Sequence, residues 1–392
     1  MKLFYFSIAV VILSLVLACS PSSTNDNNSI LIYPRKSKIA NEIFSKIELI
    51  PLDTVHQAYL SDIHRCQISD NHILFHDKDD ILYLFDKKGK FISNSKKCIG
   101  EGPKDYFLCL SASYNDYSKN IEILTPDAFI IYDSLFHHVE SQLFSESDKH
   151  PETTYFEYIY DISESLHILF PSSVPPHLGK YTLYDSKKKR FIKELRYNVE
   201  IEGMTMQENY FSNRNFVAFP CINYSFYEMD LDSKLLKKVV SLDFGVNGLT
   251  EQDVINLPKD REEKMDFLAQ QCHKYIPVRT FRSGNFLISL IKEGPSIKDF
   301  QYLILDMETR DYIWADMISS SIRLPFFESF DDGILYGIIT DDNIEDYVDR
   351  SLLDEKSKNI LDNLSDDSNF MVIKYYLKQM HFKDMKKNEI QN

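Results

Sequence analysis

The residue types needed for metal binding gather around one predicted turn. His76 ends a short apolar run, and Asp77 and Asp79 follow it closely. Imidazole nitrogens and carboxylate oxygens are ligands that divalent metals accept. The same spacing is typical of a polar hairpin turn, in which carboxylates accept hydrogen bonds from backbone amides. We favour the turn and retain His76, Asp77 and Asp79 as a secondary metal-binding candidate.

A second candidate site is a pair of arginines in an otherwise acidic chain. Arg279 and Arg282 lie beside aromatic residues in the segment Tyr275 to Arg282. Guanidinium groups bind anionic oxygens with directed hydrogen bonds. These two residues are therefore the candidates for an anionic or sugar ligand. The alternative is a strand edge whose charged ends are solvated.

The sequence carries no motif of a common catalytic centre. It has no GxSxG elbow, HExxH pair, phosphate-binding loop or GxGxxG loop. We therefore assign no catalytic residue and no cofactor, and a divalent metal stays open. Of the six cysteines, the five after Cys19 are an odd number at wide, irregular spacing, which indicates free thiols rather than a disulfide framework, although a bridge such as Cys98 to Cys109 stays open.

The first nineteen residues predict export and lipid attachment. Lys2 is followed by an uncharged run, Leu3 to Ala18, which is shorter than the roughly 20 residues of a membrane-spanning helix. The run ends Val-Leu-Ala-Cys, which resembles a bacterial lipobox with Cys19 as the lipid-bearing residue. We predict a lipoprotein signal peptide over 1–19 and a polar tether and lead-in over 20–44. An ordinary signal peptide or an uncleaved anchor is the alternative.

Composition narrows the class of protein. The 392 residues include 44 Lys and Arg against 59 Asp and Glu, a net charge of −15. This balance argues against nucleic-acid binding and against docking on anionic lipid through a basic patch. With 24 Tyr and 27 Phe but only 11 Gly, the composition favours strands.

A repeated two-strand pattern predicts the architecture. An apolar run is followed by a second run that ends in aspartate, and the marker aspartates are Asp86, Asp133, Asp185, Asp230 and Asp306. Their intervals of 47, 52, 45 and 76 approach the length of one four-stranded blade, apart from the last. We attribute the aspartates to turn formation. Helical insertions at about 245–283 and 343–368 account for the excess length.

We therefore predict an all-β fold, a six-bladed β-propeller over residues 45–392 with two helical insertions. The last copy has no outer strand of its own. The N-terminal segment Ile47 to Leu52 can supply one beside Val372 to Leu377, and this would close the ring and remove exposed sheet edges.

One stretch carries a more specific resemblance. Ile47 to Asp53, Ile81 to Ile92 with Asp86 and Gly89, and Ile99 to Tyr106 together resemble the six-bladed β-propeller lipoproteins of Bacteroides-type bacteria, relatives of NHL-repeat and TolB-like propellers. Copies two to six lack the glycine turn and so depart from an NHL array. The resemblance implies a cell-envelope binding or scaffold protein with no catalytic residue to carry over.

We accordingly predict a non-catalytic envelope lipoprotein that lipid alone anchors to the outer membrane, on its periplasmic or surface face, and that binds a peptide, a glycan or a partner protein. The alternative is a metal-dependent propeller enzyme of the lactonase or lyase type, with its site in the central channel. The ligand and the binding face stay open.

Overall fold

The computed structural model describes residues 28–144, 156–171, 180–196, 216–217, 224–250, 274–294, 299–319, 322–339, 341–364 and 369–378, with single positions between 251 and 273. Over these residues the chain forms six four-stranded sheets. The first strands of blades 2 and 3, of blades 5 and 6, and of blades 6 and 1 contact each other, so these strands surround the axis of a ring. The predicted six-bladed β-propeller is confirmed.

Blades 1 to 3 are consecutive meanders. Blade 1 contains β3 (Ile63–Ile68), β4 (His72–Asp77), β5 (Leu82–Asp86) and β6 (Phe91–Asn94). Blade 2 contains β7 (Ser111–Asn115), β8 (Asn120–Leu124), β9 (Ala128–Tyr132) and β10 (His138–Leu143). Blade 3 contains β11 (Phe156–Asp161), β12 (Leu166–Pro171), β13 (Lys180–Asp185) and β14 (Arg190–Arg196).

Two of the remaining blades recruit a strand from the N-terminal segment. Blade 4 contains β15 (Phe216–Val217), β16 (Ser225–Asp230), β17 (Leu235–Asp243) and β1 (Ser29–Leu31). Blade 5 contains β18 (Ile276–Ser283), β19 (Phe286–Lys292), β20 (Phe300–Asp306) and β21 (Tyr312–Asp316). Blade 6 contains β22 (Phe327–Asp331), β23 (Ile334–Ile339), β24 (Met371–Leu377) and β2 (Phe44–Pro51).

The marker aspartates make turns, as predicted. Asp86 Oδ1 accepts hydrogen bonds from the amides of Lys88 and Lys90, at 2.8 and 2.9 Å. The other four marker aspartates accept equivalent bonds from the turns that follow them. Each carboxylate thus ends one strand of its blade and starts the turn into the next strand of the same blade.

In four of these five copies, the turn that follows the marker aspartate forms without glycine. Gly89 has φ of 82°, and the equivalent positions of blades 2 to 5 hold Phe136, Lys189, Lys234 and Arg310 at φ between 52° and 62°. Blade 1 needs glycine for a further reason, because a Cβ on Gly89 would lie 2.2 Å from the carbonyl oxygen of Pro51. The missing glycines therefore leave the left-handed turn conformation intact.

The ring closes as the sequence predicts. Strand β2 pairs antiparallel with β24, with Ile47 opposite Tyr375 and Leu49 opposite Ile373. Both side chains from β2 are buried. Because the first and last parts of the chain share one sheet, neither end of the propeller can separate without breaking a blade.

The segment predicted as tether and lead-in, 20–44, is partly folded, which corrects that boundary. Strand β1 pairs in parallel with β17, and Ile30 is buried there. Farther along, the carbonyl of Tyr33 accepts a hydrogen bond from Trp314 Nε1 at 3.0 Å, and the Lys38 amide donates to the Trp314 carbonyl. Residues 28–51 therefore cross the outer edges of blades 4, 5 and 6. Residues 20–27 lie outside the described part.

The second insertion covers an outer edge of the ring. It contains a 3-10 helix (Asp341–Tyr347) and helix α2 (Glu355–Asp362), the second α-helix after α1 (Ala40–Ile43). Leu353 forms a bridge with Ile47, and the Ser357 hydroxyl accepts from the Leu49 amide at 3.0 Å. The insertion thus covers the free edge of the closing strand.

The first insertion is shorter than the predicted 245–283. Residues 276–283 form β18, the innermost strand of blade 5, and most of 251–273 lies outside the described residues. Pro277 and two arginines obscured the strand character of this segment. Proline is tolerated because β18 has only one strand partner in its sheet and carries a register shift between Pro277 and Arg279.

Candidate functional site: a buried carboxylate–histidine cluster

The alternating strand directions give the ring two distinct faces. The marker aspartates lie at one end of the strands, together with the hairpins that join first and second strands; we call this end the turn face. The described links from the fourth strand of one blade to the first strand of the next lie at the opposite end, the connection face.

A cluster of three titratable side chains lies between blades 2 and 3. Glu122 comes from β8, Asp161 ends β11, and His167 lies near the start of β12. His167 Nδ1 is 2.9 Å from Asp161 Oδ1 and 3.3 Å from Glu122 Oε2. The side chains are 0%, 8% and 2% exposed for His167, Asp161 and Glu122, so the cluster is closed to solvent.

Each member uses its other polar atom on a neighbouring side chain. Asn115 Nδ2 donates to Glu122 Oε1 at 3.0 Å. The Ser113 hydroxyl donates to Asp161 Oδ2, and His167 Nε2 lies 2.9 Å from Ser186 Oγ. The remaining polar atoms, Glu122 Oε2, Asp161 Oδ1 and His167 Nδ1, face one another. Glu122 Oε2 is buried and accepts no hydrogen bond from the described residues.

Burial raises the pKa of the Glu122 carboxyl well above its usual range, and the nearby Asp161 carboxylate raises it further. The cause is physical: two carboxylates in a dry interface repel each other, and neither is solvated. Such a pair needs a proton or a cation between its oxygens.

The repeat shows that the fold does not require polar residues here. Strand register places Glu122 at the position occupied in the other blades by Leu74, Ile168, Phe216, Ile288 and Tyr336. His167 occupies the position of Ile73, Ile121, Leu287 and Leu335. The cluster therefore replaces apolar core with groups that are costly to bury. Sequence reasoning missed it, and the available signal was a charged or polar residue within an apolar strand.

The residues proposed from sequence as metal ligands make a turn instead. Asp77 Oδ1 accepts from the amides of Asp79 and Ile81 at 2.9 and 2.8 Å. His76 turns to a different residue, and its Nε2 lies 2.9 Å from Asp80 Oδ1. His76, Asp77 and Asp79 are thus neighbours, but the Asp77 carboxylate is occupied by the backbone.

The two candidate arginines point to different neighbouring blades. Arg279 Nη1 donates to the carbonyl of Phe327 at 2.7 Å and lies 3.0 Å from Glu328 Oε2 in blade 6. Arg282 pairs with Glu228 in blade 4. The structure therefore does not bring them into one site.

Arg279 has a counterpart elsewhere in the ring. Arg65 follows a register shift at the equivalent place in blade 1 and donates to the Leu110 carbonyl at 2.7 Å. Both arginines thus link the first strand of one blade to the next blade. The repetition indicates a structural role for Arg279.

The described cysteines are free thiols. Cys98 and Cys109 do not form the bridge that the sequence left open, and burial raises the pKa of both thiols. Cys66 is also free. Cys19, the predicted lipid attachment residue, lies outside the described residues.

The chain belongs to a family of six-bladed propellers. The family model DUF5128, described as a 6-bladed beta-propeller, matches residues 21–313, which is well over half of the chain. A comparison with curated proteins returned no match.

Solved structures share the fold at low sequence identity. A Bacteroides fragilis protein described as exported has a TM-score of 0.68 and 15% identity, covering 90% of this chain and 100% of its own. A DUF4221 member from Bacteroides vulgatus has a TM-score of 0.47 and 11% identity, covering 85% and 98%. A luciferin-regenerating enzyme has a TM-score of 0.42 and 9% identity, covering 85% and 97%. Among the described residues, no helix is both long and apolar enough to cross a bilayer.

Proposed function

We propose that this propeller is a non-catalytic binding protein of the cell envelope, and that it binds a partner protein or peptide through the connection face. The observation that carries the proposal is the distribution of exposed apolar side chains. Seven of them lie in the links between blades: Val55, Tyr59, Phe107, Leu108, Val246, Ile318 and Phe326. Phe107 is 75% exposed and Val246 is 87% exposed.

The two faces differ in this respect. The turn face exposes Tyr117, Leu135 and Leu231 among the described residues. Exposed apolar side chains that lie together, as the consecutive residues Phe107 and Leu108 do, are typical of surfaces that a partner covers. Aromatic anchors such as Phe107 also contribute much of the affinity at protein interfaces. These features support a protein or peptide partner over a glycan.

The location follows from the N-terminal sequence. In this proposal residues 1–19 direct export, and lipid on Cys19 holds the protein at the outer membrane. The acidic balance of −15 leaves the lipid as its contact with the membrane. The catalytic alternative has less support, because the carboxylate–histidine cluster of the described residues is closed between two blades, where a substrate has no access.

Site-specific photo-crosslinking tests the binding face. p-Benzoylphenylalanine at position 107 on the connection face would be compared in intact cells with the same group at position 135, which is exposed on the turn face. We expect one discrete crosslinked species from position 107 and none from position 135. Equal crosslinking from both positions, or none from either, would contradict the proposed face.

A separate assay addresses catalysis. The purified protein should not turn over generic ester, lactone or phosphate substrates. Turnover that a chelator abolishes would overturn the non-catalytic assignment and favour the lactonase- or lyase-type alternative.

A further inference from the structure

We propose that Glu122, Asp161 and His167 bind one divalent transition-metal ion, with Zn²⁺ as the best fit, and that this ion joins blade 2 to blade 3. The ligand atoms are Glu122 Oε2, Asp161 Oδ1 and His167 Nδ1. They lie within 4.8 Å of one another.

The spacing of the donor atoms suits a small ion. Bonds of about 2.1 Å in tetrahedral geometry separate ligand atoms by about 3.4 Å. The observed separations from His167 Nδ1 are 2.9 Å to Asp161 Oδ1 and 3.3 Å to Glu122 Oε2. The separation between His167 Nδ1 and Glu122 Oε2 already matches this value, and an opening of about half an ångström would bring His167 Nδ1 and Asp161 Oδ1 to it.

The hydrogen bonds around His167 are compatible with the tautomer that a metal on Nδ1 requires. The Ser186 hydroxyl donates to the carbonyl of Ser165 at 3.3 Å. Its oxygen is then an acceptor for His167 Nε2–H, at 2.9 Å. In this tautomer, His167 Nδ1 directs a lone pair at the Asp161 carboxylate, 2.9 Å away. Two lone pairs 2.9 Å apart repel each other unless a cation or a second proton lies between them.

The surrounding side chains form the outer shell typical of a metal site. Ligating histidines donate their other N–H to a neighbour, and ligating carboxylates are hydrogen-bonded through their other oxygen. Ser186, Asn115 and Ser113 make these three contacts. This arrangement distinguishes the cluster from acidic residues that are merely close together.

Charge balance also favours a divalent ion. Two buried carboxylates and a neutral imidazole carry two negative charges, which one divalent ion neutralises. The mixture of one nitrogen and two oxygen ligands suits Zn²⁺, whereas Mg²⁺ and Ca²⁺ prefer oxygen ligands alone. The rival occupant is a proton shared within the cluster.

Zinc titration of the purified chain tests the proposal. The protein is treated with a chelator, dialysed and titrated with ZnCl₂ by calorimetry. We expect one site per chain and a Tm that rises with the zinc concentration. In Glu122→Gln, which keeps the shape and a side-chain oxygen for Asn115, we expect binding to weaken by about 100-fold or more, since a ligand is lost rather than an outer-shell partner.

Two further variants sharpen the result. His137→Ala removes an exposed histidine paired with Asp133 and should bind zinc like the parent. Ser186→Ala should weaken binding by about 10- to 100-fold through loss of the imidazole orientation. If Glu122→Gln does not fold, Asp161→Asn takes its place.

Absence of saturable zinc binding by the parent would overturn the proposal, as would equal binding by the parent and the ligand variant. Chelator-treated Glu122→Gln that is more stable than the parent, with no zinc effect on either protein, would identify a shared proton as the occupant. Co²⁺ supplies an independent readout, because intense visible absorption bands are expected only if it enters a low-coordinate site.

Discussion

Replacing Gly89 with alanine would test how blade 1 contacts the closing strand. Gly89 adopts φ of 82°, and the Cβ of an alanine there would lie 2.2 Å from the Pro51 carbonyl oxygen. The Gly89 carbonyl also accepts a hydrogen bond from the Asp53 amide at 2.9 Å. A side chain at position 89 must therefore push the end of β2 away from blade 1.

Two separate costs contribute to the expected loss of stability. A left-handed conformation costs a non-glycine residue about 1–2 kcal/mol. Overlap with packed neighbours typically costs a further 1–3 kcal/mol or so. Gly284→Ala is the matched control, because Gly284 has φ of 56° and its added Cβ would have no atom within 4 Å. The control should show only the first cost.

Urea unfolding followed by tryptophan fluorescence measures both variants. The chain has one tryptophan, Trp314, which is buried in blade 5 and donates to the carbonyl of Tyr33. We expect Gly89→Ala to lose about 2–5 kcal/mol and Gly284→Ala about 1–2 kcal/mol of unfolding free energy. Equal losses would refute the argument that contact with Pro51 makes glycine necessary at position 89.

Three further outcomes are expected. Arg279→Ala should lower the unfolding free energy by about 1–3 kcal/mol in urea titrations, because it removes the ion pair with Glu328 and the hydrogen bond to the Phe327 carbonyl; an unchanged midpoint would restore Arg279 as a ligand-binding candidate. Burial lowers the pKa of Lys87 to about 8. Between pH 8 and about 10.5 the unfolded state therefore binds more protons than the folded state, so the contribution of Lys87 to the free energy of unfolding increases as the pH rises. Lys87→Met should therefore be most stabilising, relative to the parent, below pH 8, and a pH-independent difference would contradict this. Cys19→Ala should abolish lipid labelling and release the protein from membranes, and unchanged labelling would rule out Cys19 as the attachment site.

The sequence alone determined the parts of the fold that depend on local interactions. The marker aspartates hydrogen-bond to amides two to four residues ahead, so the third strand of a blade and its turn are encoded within a few positions. The apolar runs predict strands that neighbouring blades cover on both sides. Repetition of these short patterns was sufficient to predict the number of blades. The absence of an outer strand in the last copy indicated how the ring closes.

Only the tertiary structure decided which distant residues meet. Glu122, Asp161 and His167 belong to different strands of two blades, and their convergence depends on strand register and on the packing between blades. The paired state of Arg279 depends in the same way on the neighbouring blade.

The N-terminal segment shows the same limit. Ile30 lies in a short apolar stretch whose strand partner, β17, is more than two hundred residues later in the chain. Gly89 is explained by Pro51, which meets it only once the ring has closed. Local hydrogen bonds can be inferred from spacing along the chain, whereas these contacts arise from the three-dimensional arrangement of blades, and for that reason the candidate site emerged only from the structure.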